Sequence, residues 1–130
     1  MDDDVIGLAS NWWRFVRLSA SEQRADRLVA EASADVVGDV DEILSRANDD
    51  SIAIIDALLR FPEAEPDKVG AGPFEDLISE SGEILGERIA VLARQDPLWR
   101  EAAGYVGLAD AEGRRVPDLV PFLRKSPPRE

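Results

Sequence analysis

Apolar residues return at three- and four-residue steps along most of this chain, and no stretch alternates cleanly enough for a β-strand. Residues 4–18 show the pattern first. Val5, Leu8, Trp12, Phe15 and Val16 mark one helical face, which Ile6, Ala9 and Trp13 widen. Adjacent tryptophans lie about 100° apart on a helix, so one is expected in the core and the other at its margin. A second stripe, Ala25, Leu28, Val29 and Ala32, follows Ser19-Ala-Ser-Glu22, which has the spacing of a capping box. The most regular stripe is Val36, Val37, Val40, Ile43, Leu44 and Ala47, with Asp35, Asp39 and Glu42 on the other side of the same helix. Asn48-Asp-Asp-Ser51 then offers N-caps for a fourth helix over 52–61.

Val69-Gly-Ala-Gly-Pro-Phe-Glu-Asp-Leu-Ile-Ser-Glu-Ser-Gly82 reads as a short helix with its own start and stop. Gly72 suits the N-cap and Pro73 the first helical position. Glu75 and Asp76 fall in the first turn, where carboxylates favour the positive end of the macrodipole. Gly82 fits the left-handed residue that ends many helices. A P-loop needs Gly-Lys-Ser/Thr where Phe74-Glu-Asp76 stands, and a dinucleotide fingerprint needs a preceding strand, so nucleotide binding is not expected. Another helix is expected over 83–94, with Ile84, Leu85, Ile89 and Leu92 inward. Asp96-Pro97 restarts the chain as N-cap and first helical residue, with Leu98, Ala102, Tyr105 and Val106 facing inward after it.

The pattern predicts an all-α fold: a compact bundle or short α-solenoid-like array of about six or seven short helices. One helical domain is expected over 1–108. A Pro-rich basic tail over 109–130 is expected to be partly extended or mobile, with Val116, Leu119, Val120, Phe122 and Leu123 able to pack as an arm.

Composition narrows the chemistry. The chain has 0 Cys and 0 His, which removes disulfides, thiolate nucleophiles, imidazole bases and the commonest zinc ligand. Its net charge is -12, and residues 1–113 hold 25 acidic against 10 basic residues, whereas 114–130 hold 5 basic and 2 acidic. Such a body repels nucleic-acid phosphates and attracts basic proteins. The tail either folds across that acidic body or engages another acidic surface. No apolar run reaches the roughly 18–20 residues of a membrane span, and Met1-Asp-Asp-Asp4 lacks a signal peptide's positive start. A cytoplasmic protein without a membrane partner or cofactor is expected.

Ala71-Gly-Pro-Phe-Glu-Asp-Leu-Ile78, Ser81-Gly82 and Arg94-Gln-Asp-Pro97-Leu-Trp-Arg100 resemble a family of small helical bacterial proteins of unknown function. Its signature is a Gly-Pro-Leu-Glu-Asp-Leu-Leu run, a nearby Gly, and an Arg-x-Asp-Pro element about twenty residues on. The resemblance covers approximately residues 52–106, with Phe74 where leucine is common and Ser81 where histidine often precedes the glycine. It implies a small helical domain in which Gly72, Pro73, Glu75, Asp76, Gly82, Asp96 and Pro97 are structural, and it implies no activity.

The functional expectation is a non-catalytic, acidic protein-binding module meeting a basic protein. A chain of this kind suits an immunity or inhibitor protein that neutralises a toxin by covering its active site. The partner-facing carboxylates are expected at Asp35, Asp39, Glu42, Asp49 and Asp50, with no catalytic residue and no metal ligand assigned. Two alternatives use the same acids. Asp76 with Glu80, and Glu80 with Glu83 if the helix continues past Gly82, share helix faces, the arrangement a divalent-metal enzyme would use. The other alternative is nucleic-acid mimicry, in which spaced carboxylates imitate phosphates.

Overall fold

The computed structural model describes residues 3–107 and 116–123, and every regular element among them is helical. In chain order these are α1 (Asp3–Ser19), α2 (Arg24–Ala32), α3 (Asp35–Ser45), α4 (Asp49–Arg60) and the short α5 (Pro66–Val69). A π-turn (Gly70–Phe74) leads into α6 (Glu75–Gln95), followed by α7 (Pro97–Ala103) and a 3-10 turn (Val120–Phe122). The expected all-α architecture is present.

Helix α4 sits at the centre because most of its circumference is apolar. Ile54, Ile55, Ala57, Leu58 and Leu59 are buried, and only Asp56 in that run stays partly open. Such a helix must be enclosed on several sides. Helices α1, α3 and α7 enclose it. Trp13 of α1 donates its Nε1–H to the carbonyl of Leu58 at 3.0 Å, satisfying an indole N–H that burial has cut off from water. Trp12 meets Trp13 edge-to-face with ring centroids 4.8 Å apart, and both rings are buried.

The expected capping run at Asn48 is used, with α4 starting three residues earlier than expected, whereas the ends expected at Ser19 and Gly72 are built differently. Ser19 closes α1 and does not cap α2; instead the Ser21 hydroxyl donates to Asp26 at 2.6 Å and accepts from the Gln23 amide at 3.1 Å. Helix α4 starts at Asp49, where the Asn48 side chain accepts from the Asp50 amide at 2.9 Å in a capping box with Ser51. Gly72 is not an N-cap. It lies within a helical path that already began at Pro66, and the path kinks at Gly72 (φ -119°, ψ -105°). Proline disfavours helical backbone in the residue before it and clashes with the carbonyl four residues back, which accounts for the kink beside Pro73.

Gly82 does not end a helix either. Helix α6 runs through it, and its buried rows are Leu77, Ser81, Leu85 and Ile89, with Ile78, Gly82, Gly86 and Ala90 beside them. Ile84 falls outside these rows and is 71% exposed. The glycines make room for the C-terminal segment: a Cβ at Gly82 would lie 2.6 Å from Val116 Cγ1, and one at Gly86 3.2 Å from the same atom. Val116 and Leu119 are buried, and the segment is turned rather than extended, with the Leu119 amide donating to the Val116 carbonyl at 2.9 Å. Residues 108–115 and 124–130, which include most of the basic tail, lie outside the described residues.

The remaining signature residues join the two halves of the chain. Asp96 accepts from the Leu98 amide at 3.0 Å as N-cap of α7, with Pro97 at the first helical position, and also pairs with Arg60 of α4. Arg60 in turn holds Asp56 at 3.0 Å, and Asp56 accepts the Nε1–H of the buried Trp99 at 3.0 Å. Phe74 packs edge-on to Trp99 with centroids 5.4 Å apart, a geometry worth about 0.5–1.5 kcal/mol beyond area burial. Glu75 accepts from the Gly107 amide at 3.1 Å.

Close approach at Gly70 yields a test. A Cβ there would run into the Ala102 carbonyl oxygen and sit 2.8 Å from Tyr105 Cβ, whereas one at Gly7, inside α1, meets nothing within 4 Å. Gly70→Ala is expected to lower stability by about 2 kcal/mol or more, and Gly7→Ala to raise it by about 1 kcal/mol. Urea unfolding of both variants checks this; a Gly70→Ala protein as stable as the parent would mean that α7 does not pack so tightly on the π-turn.

Candidate functional site

Helix α3 packs Val36, Val40 and Leu44 inward, so Asp35, Asp39 and Glu42 are turned to solvent at steps of four and three. Its C-terminal end is anchored by two buried hydroxyls. Ser51 of α4 donates to the Ile43 carbonyl at 2.7 Å, and Ser81 of α6 donates to the Leu44 carbonyl at 3.0 Å. The last carbonyls of a helix lack their usual partners within it; the Ile43 carbonyl also takes the Arg46 amide at 3.2 Å, and the two hydroxyls tie this end of α3 to α4 and α6.

With α3 set in this way, its outer edge and the start of α4 form a groove against α1. The groove has a volume of about 530 Å³; Asp4, Asn11, Asp39, Arg46 and Asp50 supply its polar lining, and Val5, Leu8 and Ile43 its apolar one. A second depression of about 300 Å³ adjoins it, sharing Leu8, Asn11 and Asp39 and adding Arg14 and Phe15. Asp39 thus stands where the two meet.

The five sequence-predicted carboxylates are therefore not equivalent. Asp39 and Asp50 line the groove together, whereas Asp35, Glu42 and Asp49 do not line it. Arg46 bridges Glu42 at 3.8 Å and Asp50 at 3.3 Å, and Arg88 of α6 pairs with Asp49 at 2.5 Å. Exposed pairs of this kind contribute about 0–1 kcal/mol, so a competing cation can displace them at little cost. The contribution of α1 to the groove was not foreseen. Asp4 opens the apolar stripe of α1 and Asn11 falls between its apolar residues, and neither carries a sequence signal that sets it apart.

A second acidic group lies where α6 begins. Burial raises the Asp76 carboxyl above its ordinary value of 3.8, and the nearby charges of Asp41, Glu80 and Glu75 raise it further. The dipole stabilisation expected for a first-turn carboxylate is outweighed here by burial and like-charge repulsion. Among the described residues, no three acidic side chains converge closely enough to hold a metal ion. The divalent-metal alternative has no ligand set among them.

The direction of the Asp76 shift fixes a pH dependence. The folded state holds this proton more tightly than the unfolded chain, so Asp76 lowers stability as pH rises through and above the window that starts at 3.8. Asp76→Asn is expected to be more stable than the parent at pH 7, with the difference shrinking to nothing near about pH 3. Thermal unfolding at both pH values checks this. A variant less stable than the parent at pH 7 would show that the carboxylate is favoured where it stands.

No family model matches the chain, and neither does any curated protein or solved structure.

Proposed function

We propose that this chain is a non-catalytic acidic protein-binding module whose α1–α3 groove receives a lysine or arginine side chain from a basic protein, as an immunity or inhibitor protein would. The observation that carries this reading is the pairing of chemistries in one groove. Asp4, Asp39 and Asp50 lie beside the apolar Val5, Leu8 and Ile43. A long cationic side chain has the matching halves, an aliphatic stem to lay along the apolar residues and a charged head for the carboxylates. Arg46, bridging Glu42 and Asp50, is the groove's own example of the interaction that a partner would extend or replace. Kinship with the helical proteins that carry the Gly-Pro-Leu-Glu-Asp-Leu-Leu and Arg-x-Asp-Pro elements belongs to the same proposal, and it supplies no activity of its own.

Charge places the rest of the reading. A net charge of -12 steers a basic protein toward the surface at low salt, and the groove then selects the side chain that enters. The test is affinity capture at low salt, followed by a salt titration of the recovered complex with the parent and with an Asp39→Asn, Asp50→Asn double variant. The double variant is expected to bind at least about tenfold more weakly and with a shallower salt dependence. Glu87→Gln, on an exposed position of α6, is expected to bind like the parent. Equal losses from both variants, or an affinity indifferent to salt, would count against the groove.

A further inference from the structure

Helix α2 turns its apolar side away from the protein. Leu28 is 52% and Val29 42% exposed, Ala25 and Ala32 are exposed beside them, and the one buried residue of α2 is Ala30. The sequence stripe is real, but it faces outward. Leu28, Ala32, Ala25 and Val29 span about 100° of the helix, and Ala30 lies about 150° from their centre. A small residue there lets α2 sit close on α1, the helix on which it chiefly packs.

The charges beside the stripe are ordered along the axis. Arg24 stands at its N-terminal end and Glu31 near its C-terminal end, both exposed and both along the Leu28 edge of the stripe, while Arg27 lies farther round the helix and donates to the Ser21 carbonyl at 2.9 Å. Two such helices laid antiparallel bring these same edges together and set Arg24 of each beside Glu31 of the other, whereas parallel helices leave the two charged edges on opposite sides of the contact, unpaired. Helix α2 also balances two arginines against two acids, while α3 carries four acids and no base. In a chain of net charge -12, this is a face on which two copies can meet without massed carboxylates opposed.

We propose that α2 is the self-association surface of this protein, pairing with α2 of a second copy about a twofold axis in antiparallel register. The stripe is short. Nine residues rise about 14 Å, too little to reach the roughly 800 Å² per partner of a standard stable interface, so the dimer is weak and depends on concentration.

Sedimentation equilibrium from about 10 µM to about 1 mM tests this, with dimer expected to accumulate across the range. Leu28→Asp is expected to weaken the dimer at least about tenfold, because each twofold contact would bury two carboxylates. Ile84→Asp, at an exposed position on α6, is expected to leave it unchanged. Arg24→Glu and Glu31→Arg are each expected to weaken it, and the two together to restore it, which only antiparallel self-pairing predicts. Far-UV circular dichroism confirms that each variant is folded. A monomer throughout the range, a dimer indifferent to Leu28→Asp, or a double charge swap weaker than either single one would overturn the proposal.

Discussion

The carbonyl end of α3 is the constraint on which the rest of the molecule turns. A helix leaves its last four carbonyls without intrahelical partners, and a buried end must find donors elsewhere. Here the Ile43 carbonyl takes the Ser51 hydroxyl beside the Arg46 amide, and the Leu44 carbonyl takes the Ser81 hydroxyl. Leaving one such group unsatisfied costs about 1–3 kcal/mol, more than any single surface ion pair contributes. Because the two serines come from α4 and α6, they hold α3 against both. With Val36, Val40 and Leu44 thereby kept inside, Asp39 is left facing α1, and the groove exists as a consequence of that packing.

The same logic separates what the sequence revealed from what it hid. Stripes built from large apolar residues, such as those of α1 and α3, could be read directly, and so could the Asn48 and Asp96 caps. Stripes that contain small residues could not. Ser81, Gly82 and Gly86 belong to the buried rows of α6, yet serine and glycine do not register as apolar, so the sequence pattern divides one helix into two and points Ile84 inward. Gly82 is compatible with a helix end or with a close neighbour, and only Val116, more than thirty residues later, decides between them. For α2 the periodicity was legible but its direction was not, since a short helix can pack on an alanine and leave its larger residues outside. The groove was half legible: α3 and α4 offered their acids openly, but nothing in α1 announced that Asp4 and Asn11 would stand opposite them.

Charge in this molecule is sorted by element. Helix α3 carries acids and no base along its length; Arg46 at its C-terminal end answers Glu42, while Arg88 of α6 answers Asp49 of α4. Where acids are crowded, as around Asp76, desolvation and neighbouring charges hold a carboxyl above its ordinary value and disfavour its charged form in the folded state. Where they are spread along a groove beside apolar side chains, the same charges are well placed for a cation with an aliphatic stem. The proposed function rests on the second arrangement. The polar joint of Asp56, Arg60, Asp96 and Trp99 ties α4 to α7 through residues that do not line that groove, so Asp96 serves the fold.

The most direct measurement of the central claim is an amide chemical-shift titration of the isotopically labelled protein with a short lysine- and arginine-rich peptide at low salt. The account predicts that the largest shifts fall on Gly7, Asn11, Asp39, Ile43 and Asp50, the residues of the α1–α3 groove. Shifts spread evenly over all the acidic helices, or centred on Asp41, Asp76 and Glu80, would contradict it.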